Sequence, residues 1–164
     1  MASIKNSWGR CGHYKRQPIA FNTVGYGFRT MFRQANTNDI AAMSHIRLSV
    51  TENVLSDPNR ITRAMYEDFL EAAGRGWVAE RDGKIIAFCY AAKADGSIWA
   101  LFVRPGHEGQ GLAKSLLGLA VNWLFDSGHE RVHLSTGANT RADRFYAAQG
   151  WARSPLATPK SLII

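Results

Sequence analysis

A chain of 164 residues, 46% hydrophobic and 20% charged with 15 Gly and 5 Pro, has the composition of one globular domain and excludes collagen-like, fibrous and disordered classes. Its two cysteines, Cys11 and Cys89, exclude a disulfide framework and a four-cysteine zinc site. The formal charge of +7 is uneven: Lys5, Arg10, Lys15, Arg16 and Arg29 fall in residues 1–29, which hold no Asp or Glu, leaving 15 bases against 13 acids in the remainder.

Residues 1–29 mix glycines, bases and scattered aromatics (Trp8, Tyr14, Phe21, Tyr26, Phe28) without a period of 2 or 3.6, and read as an N-terminal arm. A nucleic-acid reading based on charge must rest on that arm alone. An arm on a compact body packs either on that body or on a second subunit, which makes a homodimer the expected assembly. Residues 30–164 are read as one domain. No apolar run approaches the length of a membrane span, and the start lacks the apolar centre of a signal peptide. With only two cysteines and no CxxC, this gives a cytoplasmic expectation.

In chain order, a first strand is expected just after Met31. A helix then begins at Asn38 or Asp39 as cap, with Ile40, Met43, Ile46, Leu48 and Val50 as its apolar stripe, and breaks at Ser56-Asp57-Pro58. A second helix carries Ile61, Met65, Phe69 and Leu70 and ends near Gly74 and Gly76. Asp82-Gly83 and Asp95-Gly96 separate three apolar runs, Trp77 to Glu80, Ile85 to Ala92 and Ile98 to Val103. Asp-Gly suits a type I′ turn, whose two central residues need positive φ, so the runs form an antiparallel meander. Both alternating faces of the second and third runs are apolar, and such a sheet needs helices on both sides.

After Pro105 a glycine-rich turn leads into a helix with Leu112, Leu116, Leu119 and Trp123 on one face, stopping at Ser127-Gly128. A strand from Val132 to Ser135 and a helix from Thr140 to Gln149 follow. The order predicts an α/β fold: a mixed, mostly antiparallel sheet with one parallel βαβ crossover and helices on both faces.

The segment from Val103 to Lys114 carries the chemistry. Small residues at Gly109, Gly111 and Ala113 let a ligand approach the backbone, and a helix start presents unpaired N–H groups. That arrangement cradles an anion, most often phosphate; the same glycines also suit a tight strand-to-helix turn with no ligand. A P-loop needs Gly where Glu108 and Ala113 stand, and a dinucleotide GxGxxG from Gly109 needs Gly where Lys114 stands. Neither pattern fits.

Glu108-Gly109-Gln110-Gly111-Leu112-Ala113 resembles the acetyl-CoA signature Q/R-x-x-G-x-G/A of the GNAT N-acetyltransferases, departing at its first place. Asn139, Ala142, Phe145, Tyr146, Gly150 and Trp151 resemble the family's second signature, N-x-x-A-x-x-F-Y-x-x-x-G-F/W. The resemblance covers residues 31–164 and implies a GNAT-like fold and acetyl transfer from acetyl-CoA, as cosubstrate, to a primary amine. It implies that the main chain of Gly109, Gln110, Gly111, Leu112, Ala113 and Lys114 holds the pyrophosphate. The pantetheine arm would run beside Leu101, Phe102 and Val103, and Asn139 would meet the cofactor from the edge of the next strand. Tyr146 would give the departing thiolate its proton. Glu108, a carboxylate near a pyrophosphate, is the awkward residue, which Lys114 could offset.

A base or water relay must take the amine's proton. Glu52, with Asn53 at the end of the first helix where the family builds its substrate wall, is the candidate; a solvated surface role is its alternative, as it is for Glu80. His129 and His133 fall on a loop and a strand, so their spacing does not converge on a metal, and none is expected. Cys89 reads as a core residue and Glu67, Asp68 and Glu71 as a wet helix face. Two rival functions stay open: a non-catalytic acyl-CoA-binding regulatory module on the same fold, and nucleic-acid contact through the arm.

Overall fold

The computed structural model describes residues 29–50 and 61–152. The arm at 1–28, Glu52, Asn53 and the break at Ser56-Asp57-Pro58 lie outside the described residues. Among the described residues five strands form one sheet in the order β1 (Met31–Gln34), β2 (Gly74–Arg81), β3 (Lys84–Ala92), β4 (Ser97–Val103) and β5 (His133–Leu134). The first four are antiparallel neighbours, and β5 joins β4 in parallel. This is the expected mixed α/β sheet with its single crossover.

Helix α1 (Ile40–Ser49) follows a 3-10 turn at Thr37–Asp39. Asp39 stands at the N-cap of α1 as expected but gives it no side-chain bond; the side-chain cap is Asn36, at the start of the 3-10 turn, whose side chain accepts from the Asn38 N–H at 2.9 Å while the Asp39 carboxylate accepts from the Asn36 N–H at 2.9 Å. Arg33 on β1 donates to both Asp39 oxygens, at 2.7 and 2.8 Å, and to Glu80 on β2 at 2.9 Å. Glu80 is therefore tied down rather than merely solvated. On α1 the expected stripe fails at one place: Leu48 is 57% exposed while the neighbouring Arg47 is buried.

Helix α2 (Arg63–Asp68) is capped by Thr62 and runs into a π-turn over Phe69–Ala73. Gly74 and Gly76, expected to close that helix, are instead the first part of β2. A Cβ on Gly74 would lie 2.1 Å from the Ala91 carbonyl oxygen, and one on Gly76 would lie 2.8 Å from Tyr90 and Leu70. Close backbone approach within the sheet explains these glycines. Asp82 and Gly83 both take positive φ, as a type I′ hairpin requires. At the second Asp-Gly only Gly96 does, because four residues, Lys93 to Gly96, connect β3 to β4.

The sheet is covered on both faces. Trp77, Ala79, Cys89, Ala91 and Ile98 pack with Leu112, Leu116, Ala120 and Leu124 of α3 (Leu112–Asp126) and with Tyr146 of α4 (Arg141–Ala148). Val78, Phe88, Tyr90, Ala100 and Phe102 pack on the opposite face with Ile40, Met43 and Ile46 of α1 and Tyr66 of α2. Full burial of each Val, Leu, Ile, Phe or Met among them contributes about 1.5–3 kcal/mol. Among the described residues no helix is long and apolar enough to cross a membrane.

Candidate active site

Strand β5 meets β4 only at Ser97 with His133 and Ile98 with Leu134. One residue on, the register of β4 against β3 slips: Tyr90 faces Ala100 but Ala91 faces Ile98, leaving Trp99 as a bulge. From Trp99 to Val103 the side of β4 turned away from β3 has no strand partner among the described residues. The sheet is split there, at the strand that delivers the chain to the glycine-rich loop.

Leu101 and Val103 border this split and pack in the same cluster as Cys89, Leu116 and Tyr146. Phe102 belongs to the other face, against Ala100 and Phe88, so only its main chain is available to a ligand in the split. The Tyr146 ring is 7% exposed and edges against Phe145 at 5.2 Å and Trp151 at 5.8 Å. Burial pushes its hydroxyl well above the ordinary tyrosine range, and the nearby Cys89 adds to this, so the phenol keeps its proton at neutral pH. Burial raises the Cys89 thiol likewise.

Gly106, Gly109 and Gly111 all have positive φ, at 87°, 74° and 78°, and a Cβ on any of them would meet nothing within 4 Å. Gly111 is the left-handed N-cap of α3 and offers no side chain to the helix start. The first main-chain bond of that helix is from the Ser115 N–H to the Gly111 carbonyl at 3.1 Å. Among the described residues no acceptor engages the N–H groups of Gly109, Gln110, Gly111, Leu112, Ala113 or Lys114. Six unengaged donors thus lie in the loop and first turn at a helix start, which suits an anion. Gly109, Gln110, Gly111 and Lys114 are exposed, whereas the Leu112 side chain is in the core.

Glu108 turns back into its own loop. Its carboxylate accepts from the Gly106 N–H at 2.7 Å. Main-chain N–H groups, its own first and then that of Gly106, hold it below the usual carboxylate range despite opposing desolvation.

Asn139 lies not at a strand edge but past the end of β5, on the approach to α4, with φ 62°. Its N–H donates to Asp143 at 2.7 Å and its carbonyl accepts from Arg144 at 3.1 Å, leaving the exposed amide side chain for a ligand. The sequence reading passed over Ser135 and Thr136, whose hydroxyls are buried without a hydrogen-bond partner directly after β5. A Ser-Thr pair at a strand end was the available signal. It also passed over Arg47 and Tyr66, buried and unpartnered on the α1 and α2 side. His129 contacts the Lys93 carbonyl at 2.8 Å and His133 faces Asp95 at 3.8 Å; among the described residues no three metal-ligating side chains form a group.

Residues 40–151 match the family described as the Acetyltransferase (GNAT) family. The chain belongs to that family, and the fold described above is that of a GNAT acetyltransferase domain. It is 37% identical over 92 residues to a mycothiol acetyltransferase of Sanguibacter keddieii, a match covering 50% of this chain but only 29% of that protein. It is 28% identical over 131 residues to an uncharacterized ycf52-like N-acetyltransferase of Prochlorococcus marinus, covering 76% of this chain and 69% of that one. The aminoglycoside N-acetyltransferase AAC(6')-Iy in complex with CoA shares its fold with a TM-score of 0.66 at 19% identity, over 83% of this chain and 96% of that one.

Proposed function

We propose that this chain moves an acetyl group from acetyl-CoA to an amine by direct transfer within a ternary complex. The observation that carries the reading is the set of six unengaged N–H groups from Gly109 to Lys114, beside a split in the sheet. A diphosphate satisfies those donors, and the CoA bound to the similarly folded AAC(6')-Iy is a ligand of that chemistry. Leu101, Val103 and the main chain of Phe102 would flank the thioester arm, and Asn139 would bring its amide to the same ligand.

The amine nitrogen attacks the thioester carbonyl, the carbon–sulfur bond breaks, and the thiolate takes the Tyr146 proton. Glu52 is the group assigned to take the amine's proton, directly or through water. We read residues 30–164 as the catalytic domain of a cytoplasmic homodimer. Sedimentation of the chain with and without the arm tests the pairing, and fractionation of native cells tests the compartment.

The function itself is tested by a thermal-shift titration with acetyl-CoA, then an amine panel read by free-thiol release. Stabilisation followed by amine-dependent thiol release is the expected result; stabilisation without release for any amine would make this a binding module.

A further inference from the structure

Arg47 and Tyr66 both carry buried, unpartnered polar atoms on the opposite face of β4. Arg47, on the last turn of α1, is 6% exposed, and its Nε and Nη1 atoms are buried with no hydrogen-bond partner. Tyr66 on α2 is 2% exposed and its hydroxyl is likewise buried and unpartnered. Both meet at one residue: the Arg47 guanidinium lies 5.8 Å from the Trp99 ring centre and 5.7 Å from that of Phe102, and the Tyr66 ring lies edge-on to Trp99 at 6.2 Å.

A guanidinium cannot shed its charge at any working pH, and aromatic faces replace only part of its lost hydration. A buried charge of this kind calls for an anion. The other polar groups of that layer are engaged elsewhere: Asp39 is held by Arg33, and the Tyr90 hydroxyl contacts the Met43 sulfur at 3.8 Å. Among the described residues Arg47 has no acidic partner. Trp99 is also the bulge at which β4 leaves β5, so this site adjoins the split proposed to admit the acyl arm.

We propose that Arg47, with Tyr66 packed on the same Trp99 ring, binds a carboxylate of the acceptor, so that the substrate is a small amine that also carries a carboxylate. This rests on the acetyl-transfer reading above. The anion is placed on the acceptor because the diphosphate end of the donor has its own main-chain cradle at Gly109 to Lys114. The planar guanidinium suits a carboxylate, and a phenol adds a neutral donor to it.

The test measures thiol release by the full chain with L-amino acids and, in parallel, the methyl ester of each. The wild type is expected to favour the free acid by about tenfold or more in kcat/KM, the low end of what a charge-assisted hydrogen bond provides. In Arg47→Met the acid-over-ester ratio should collapse towards one through a raised acceptor KM, while the thermal shift by acetyl-CoA is retained. Arg47→Lys should keep part of the ratio and Tyr66→Phe should reduce it, so that poor folding of one variant does not decide the outcome. Equal kcat/KM for acid and ester in the wild type, or an unchanged ratio in well-folded Arg47→Met, overturns the assignment. A wild type that acetyl-CoA does not stabilise fails at the transfer reading instead, and takes this assignment with it.

Discussion

The carboxylate of Glu108 accepts a 2.7 Å hydrogen bond from the N–H of Gly106, two residues back in the same loop. A side chain that looked repulsive toward a diphosphate is thereby folded into the turn that precedes the cradle. Its negative charge is matched by local N–H dipoles, and the six donors that follow stay open.

Glu108→Gln keeps the shape and one acceptor. Acetyl-CoA affinity measured by calorimetry should change by less than about fivefold, roughly 1 kcal/mol. A much larger gain would mean that the carboxylate opposes the ligand directly.

Gly111→Ala adds a methyl group to open space at φ 78°, where an L-residue is strained by about 1–2 kcal/mol. The same methyl group enters the proposed diphosphate site. Acetyl-CoA affinity should therefore fall more than thermal stability does, with the KM for acetyl-CoA rising by about tenfold or more while melting declines modestly.

Tyr146→Phe removes one oxygen from a ring already fixed by Phe145 and Trp151. Turnover should fall by about 10²–10⁴-fold, the usual contribution of a positioned acid, with acetyl-CoA affinity nearly unchanged. Because burial raises this phenol, its ionisation should leave no alkaline limb in the rate profile below pH 10, and the profile should instead follow deprotonation of the acceptor amine.

Asp39 sets the acid limb of stability. Burial alone would raise its carboxyl, but the hydrogen bonds from Arg33 and the Asn36 N–H and the Arg33 charge outweigh that and hold it below the ordinary value. Its contribution is full above the unfolded pKa of about 3.9 and is lost as pH falls toward the lower folded value. In a pH series of melting temperatures, Asp39→Asn should lower stability at pH 7 and flatten the decline below pH 4. Cys89, Tyr90 and Tyr146 act at the other end: each is raised by burial, so stability falls as pH climbs past their unfolded values of about 8.5 and 10.

The meander, the crossover and both covered faces were legible because Asp82-Gly83 and the doubly apolar runs of β3 and β4 obey local rules. The glycine-rich loop was legible because Gly109 and Gly111 stand just ahead of an apolar helix face and permit the positive φ they take there. Gly74 and Gly76 misled because a glycine required by the nearness of Ala91 and Tyr90 resembles one that ends a helix. Arg47 was invisible, since nothing local distinguishes a buried arginine in an amphipathic helix from the exposed Leu48 beside it. The split between β4 and β5 was hidden too, because the Trp99 bulge arises from pairing across the sheet.

Amide hydrogen exchange across residues 109–114, with and without saturating acetyl-CoA, tests the central claim most directly. The account predicts that these N–H groups, unengaged in the protein alone, exchange markedly more slowly once the ligand is bound. Tight binding with their exchange unchanged would contradict it.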